Sequence, residues 1–167
     1  MKKFMPILMM LLSTSFAFSQ NAKSEKKFSN SIELSDTQEN VWNVITDFDT
    51  FKYWDEKIID VRCPEELKKN QSCQAIMSDG QLFDVEIVDI VENESYTLRY
   101  KLSSGNIYIK RGLVPGEPLQ YTETVWYKGI SKKTFEKYKG ADYAQLLSNR
   151  ITNFKKYLES RNQGTGK

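Results

Sequence analysis

The chain has 167 residues, with 24 Lys and Arg against 22 Asp and Glu and no histidine. That length suits one domain with a real core. The missing histidine excludes His-based triads, His general bases and His metal ligands, and the balanced charge argues against a nucleic-acid binder, which needs a cationic footprint.

In chain order, Lys2-Lys3 form a basic start, Phe4 to Leu12 an apolar run, and Ser13 to Ser19 a small-residue stretch with Ala17-x-Ser19 ahead of Gln20. This pattern predicts a signal peptide over residues 1–19. The apolar run is too short for a membrane span, which needs about 20 residues, and no cysteine near the cut suggests a lipid anchor. Lys2 and Lys3 account for the whole net charge of +2, so the chain after the leader is neutral. Export to the periplasm or the exterior is the expectation. Residues 20–29 are polar and read as a flexible lead-in.

Ser31–Leu34 alternates like a short strand. Ser35-Asp36-Thr37 offers helix N-caps, with Gln38 or Glu39 placed to complete a capping box. The helix that follows shares one apolar face of Val41, Trp42, Val44 and Ile45, and Thr50–Trp54 suggests another turn or two. Strand patterns then dominate: 57–62, 72–78, 81–91, 95–102, 106–113 and 119–127, separated by turn residues such as Asp79-Gly80, Glu92-Asn93-Glu94 and Ser103-Ser104-Gly105. Asp89 falls out of the alternation in its strand, either pointing inward or marking a bulge. Cys63 and Cys73 are centred on residue 68, within the polar link between the first two of these strands, which would bring them face to face across a hairpin. An exported protein permits a disulfide there; two buried free thiols are the alternative. After Gly140 the period changes. Tyr143, Leu147, Ile151, Phe154 and Leu158 recur at helical spacing, and 161–167 reads as a disordered tail.

A strand, two short helices, a run of antiparallel strands and one long closing helix make up a helix-grip order. From about Phe28 to Ser160 the chain resembles the START-like ligand-binding superfamily (SRPBCC), in its polyketide cyclase/dehydrase and lipid-transport branch. The residues that carry the resemblance are Ser31-Ile32-Glu33-Leu34-Ser35 leading into Glu39–Phe48, then Phe51-Lys52-Tyr53-Trp54, Asp79-Gly80 at the head of the long strand, and Gly140 with Leu147 and Phe154–Glu159. The resemblance implies an α+β domain over residues 30–160, with a curved sheet of about seven strands around the C-terminal helix and an apolar cavity between them. It also implies a small hydrophobic ligand such as a lipid, sterol or polyketide.

The residues proposed to line that cavity are Phe83, Val85, Tyr96, Leu98, Tyr100, Ile107, Ile109 and Trp126 from strands, and Tyr143, Leu147 and Arg150 from the closing helix. Trp54 is placed near the mouth by family analogy. Val125 and Tyr127 replace Trp126 if that strand shifts by one residue. The tyrosine hydroxyls need partners if buried, and Arg150 could hold a carboxylate head group. Asp84 and Glu86 read as solvent-facing. No catalytic residue, cofactor or metal site is assigned. The pattern favours binding over chemistry, with a cyclase- or dehydratase-like enzyme of the same fold and a non-catalytic cell-envelope interaction module as the alternatives. Among partners a small hydrophobic ligand is expected, nucleic acid and a stable membrane span are not, and transient membrane contact stays open.

Overall fold

The alternating segments pair into one seven-stranded antiparallel sheet, ordered β1-β7-β6-β5-β4-β3-β2. A computed structural model describes residues 27–64 and 67–164. The leader sequence, and the lead-in as far as residue 26, lie outside the described residues. The strands are β1 (Lys27–Leu34), β2 (Ile58–Arg62), β3 (Ser72–Met77), β4 (Leu82–Val91), β5 (Ser95–Leu102), β6 (Gly105–Val114) and β7 (Leu119–Lys128). β1 starts four residues before Ser31, because Lys27 to Asn30 are already in register with Trp126 to Glu123 on β7.

Helix α1 (Gln38–Thr46) follows β1, capped by the Thr37 side chain, which accepts from the Asn40 N–H. Val41, Trp42, Val44 and Ile45 are its buried face, as their spacing predicts. A 3-10 helix (Phe48–Tyr53) then buries Phe48 and Phe51. In the hairpin of β2 and β3, Arg62 faces Gln74, so the next step outward sets Cys63 opposite Cys73. The two form a disulfide with a Cα separation of 4.5 Å, the spacing of a non-hydrogen-bonded antiparallel pair. On β4 the register slips between Ile87 and Asp89, which is a bulge, and Asp89 is exposed.

The C-terminal end holds two helices where the sequence suggests one. Helix α2 (Lys132–Lys139) is capped by Ser131 and buries only Phe135. With four lysines in eight residues it shows no apolar period. Helix α3 (Tyr143–Gly164) is the long one, and it continues past residue 161. Its buried residues Tyr143, Leu147, Ile151, Phe154 and Leu158 lie with the inward side chains of β4 to β7 in a single core.

Candidate functional site

The pleat of β6 sends Ile107, Ile109, Arg111 and Leu113 to the core, and that of β7 sends Tyr121, Glu123, Val125 and Tyr127. Two of these are charged. Arg111 and Glu123 are both fully buried and directly opposite one another in register. The Arg111 Nε donates to Glu123 Oε2 at 3.0 Å. Its Nη1 donates to the Tyr96 hydroxyl at 3.0 Å, and that hydroxyl donates to the Ile45 carbonyl at 2.6 Å. The guanidinium lies 4.4 Å from the Phe51 ring centre and 4.8 Å from that of Trp54, a cation–π contact on both. The Tyr121 hydroxyl completes Glu123 Oε2 at 3.3 Å. From α3, Arg150 Nη2 donates to Glu123 Oε1 and to the Tyr143 hydroxyl, while Nη1 reaches Asp55 Oδ2 at 3.4 Å. The result is a buried chain of alternating charge, Asp55–Arg150–Glu123–Arg111, running from the end of the 3-10 helix to the sheet.

Burial raises the cost of a charge on Glu123, but Arg150 and Arg111 outweigh it and hold its carboxyl below the usual range. Burial opposes the charge on both arginines too, and the anionic and tyrosine oxygens around them more than offset it. Burial pushes the Tyr96 and Tyr143 hydroxyls up to about 12, so both are neutral donors or acceptors at physiological pH. A buried ion cluster gives little net stability relative to an apolar core of the same volume. A cluster that stability alone does not favour is a candidate for specificity or function.

Against Arg150 lies a small pocket of about 50 Å³. Ile58, Met77, Ile109 and Leu146 form its apolar wall, Asp55, Tyr100, Lys139, Tyr143 and Arg150 line it from the polar side, and Glu56, Lys57, Asn149 and Asn153 also border it, the first three of these solvent-exposed. The Lys139 ammonium lies 4.3 Å from the centre of the Tyr100 ring, and no carboxylate of the described residues lies within ion-pair distance of it. Burial, then repulsion by Arg150, lower its pKa to about 8. Arg150 Nε and Arg111 Nη2 are buried with no hydrogen-bond partner among the described residues. With Arg111, Arg150 and Lys139 set against Asp55 and Glu123, the site carries an excess of positive charge.

No protein-family model matches this sequence, and no curated protein matches it. Solved structures do. A START superfamily protein from Mycobacterium smegmatis superposes with a TM-score of 0.62 at 13% identity, over 81% of this chain and 98% of that one. A protein from Mesorhizobium loti gives 0.64 at 13% identity, over 81% and 97%. DynU16, from the dynemicin biosynthetic locus, gives 0.64 at 16% identity over 82% of this chain and 48% of its own. The fold is START-like.

Within the START-like frame, four of the residues proposed from sequence line the pocket: Tyr100, Ile109, Tyr143 and Arg150. Tyr96 lies behind it, in the hydrogen-bond chain of Arg111. Val85, Leu98, Ile107 and Leu147 are core, and Phe83 is half-buried, edge-on to Tyr100 and Tyr138. Two placements differ. Trp54 is not at a mouth; it is 1% exposed, packed under Arg111 and against Phe154. Trp126 faces the outside of the sheet, stacked on Tyr108, and Val125 and Tyr127 point inward in its place. That one-residue phase also hid Glu123, which is inward only when Val125 is. Arg111 shares the phase of Ile107 and Ile109 and was visible there as a charge on an apolar face. Asp55 and Lys139 join the site through tertiary folding, and no local pattern marks them.

Proposed function

We propose that this START-like protein binds a small amphipathic molecule with its anionic or strongly electron-rich oxygen on Lys139, Arg150 and Tyr143, and its apolar part on Ile58, Met77, Ile109 and Leu146. The observation that carries this reading is the Lys139 ammonium, without a carboxylate partner among the described residues, sharing a small pocket with a buried Arg150 whose Nε has no hydrogen-bond partner among them. Such groups favour an acceptor in a charge-assisted hydrogen bond. The earlier expectation of a lipid or sterol meets a size limit. A pocket of about 50 Å³ has room for only a few waters, whereas ligand sites enclose about 300–1,000 Å³. A larger ligand therefore needs the pocket to widen, and α2, which supplies Tyr138 and Lys139, is the element we propose to move. Export of the protein, read from the leader sequence, belongs to the same proposal.

The test compares medium-chain carboxylic acids with the corresponding alcohols by calorimetry, alongside native mass spectrometry of protein from its own host. The acids are expected to bind more tightly, with affinity falling as pH rises through about 8, where Lys139 loses its proton. Equal affinity for acid and alcohol would sink the reading. A cyclase-like enzyme is the second reading, favoured by one observation: Lys139, Tyr100 and Asp55 face a single pocket with an amine near pKa 8, suited to moving a proton at neutral pH. Turnover of a polyketide-like substrate that K139M abolishes would select it.

A further inference from the structure

The outer face of the sheet carries a feature that the pocket does not use. Strand register aligns Lys27, Trp126, Tyr108, Arg99 and Glu86 in one row across β1, β7, β6, β5 and β4. Trp126 and Tyr108 stack at 5.1 Å between ring centres with 6° between planes. Neighbouring rows add Lys110, between Thr124 and Thr97, and Lys128, opposite Asn106. Lys101 and Arg99 both engage Glu86, at 2.8 and 2.5 Å. Lys27, Lys110 and Lys128 are exposed, and no carboxylate among the described residues lies within 4.0 Å of them. They flank an open groove of about 700 Å³ that Trp126 also lines. The Trp126 indole N–H makes no hydrogen bond within the described residues.

We propose that this face docks on an anionic lipid bilayer, with Lys27, Lys110 and Lys128 against the lipid phosphates and the Trp126–Tyr108 pair at headgroup depth. The charge is complementary. Three lysines without a carboxylate partner among the described residues sit on one face, while the chain after the leader is neutral overall, so the attraction is local and directional. The ring pair decides between anionic partners. One face of each ring is covered by the other, which removes much of the flat platform on which a sugar or a nucleobase would stack. What remains is an amphipathic edge with a free indole donor, the chemistry that settles at membrane–water interfaces. Each lysine near an anionic surface strengthens binding by a factor of about five at low salt.

Sedimentation of the purified chain with phosphatidylcholine vesicles, with and without about one-third phosphatidylglycerol, tests this. Trp126 fluorescence is a direct second readout, because Trp42 and Trp54, the other two tryptophans, are buried. The expected result is binding to the anionic vesicles alone, weaker at physiological salt, with a blue shift of the emission. The double variant K110E/K128E should lose at least about 25-fold in partition, the milder K110Q/K128Q should lose less, and W126F should bind without the shift. Equal binding to neutral and anionic vesicles, no binding to either, or partition unchanged in both double variants would each overturn the proposal. So would tight binding to heparin by a chain that ignores vesicles, which would reassign the face to an acidic polysaccharide.

Discussion

Glu123 is the hinge of the buried network, since among the described residues it alone pairs with both Arg111 and Arg150. Replacing it with an isosteric amide leaves two desolvated cations with only Asp55 between them. E123Q is therefore expected to lose about 3–5 kcal/mol in urea denaturation. The pH dependence has a definite sign. The folded state holds the Glu123 carboxyl below its ordinary value of 4.5, so its stabilisation is present above that value and is lost as pH falls through the lower folded one. E123Q should lack that loss in acid. Lys139 behaves in the opposite sense. Its pKa falls from 10.5 to about 8 on folding, so at neutral pH its proton is retained at a penalty that disappears between those two values. Stability of the native chain should rise with pH across that window, while K139M should show no such rise and be about 1–2 kcal/mol more stable at pH 7. A residue that weakens the fold yet faces a pocket is what a stability–function compromise looks like.

At the scale of elements, the segment joining α2 to α3 turns at Gly140, whose φ of 100° belongs to a region that side chains rarely enter. A Cβ there would also meet the Leu146 side chain at 2.5 Å. G140A should destabilise the chain by about 1–3 kcal/mol and disturb Lys139, which precedes it, so thermal melting and acid binding should both respond. The β2–β3 hairpin is held by the Cys63–Cys73 disulfide, whose cysteines are 10 residues apart. A C63A/C73A variant should lose about 2–3 kcal/mol, since so short a loop gains only modestly from closure. These elements differ in how plainly the sequence announces them. The strands from β2 to β7 are legible because one face is buried and the period of two survives in the residues. The cysteine pairing is legible because the hairpin centre falls midway between the two. Helix α2 is not, because Phe135 alone marks its apolar side. The phase of β7 is ambiguous by one residue, since Trp126 and Tyr127 are both aromatic, and Glu123 is lost with the wrong choice. Asp55 and Lys139 enter the site from segments far apart in sequence, and only the packing of α2 and α3 across the sheet brings them together.

For the whole molecule, a pocket of about 50 Å³ and a bound ligand of the proposed kind require two conformations. The sheet from β5 to β7 is poorly suited to be the moving part, since it holds the Arg111–Glu123 pair and much of the core. Helix α2 is better suited. It is eight residues long, is anchored through Phe135 stacked on Phe28 and Tyr127, and ends at the left-handed turn of Gly140. Its opening should need less free energy than global unfolding, as expected for elements that gate binding sites. Native-state hydrogen exchange reads this directly. Amides of α2 should exchange through a sub-global opening that is nearly independent of denaturant, while those of β6 and β7 exchange only through global unfolding. A carboxylate ligand that occupies the pocket should slow exchange in α2 by the factor its binding contributes, because it stabilises the closed form alone. If α2 amides prove as protected as those of β6 in the free chain, the pocket has no door there, and ligand access through α2 is ruled out.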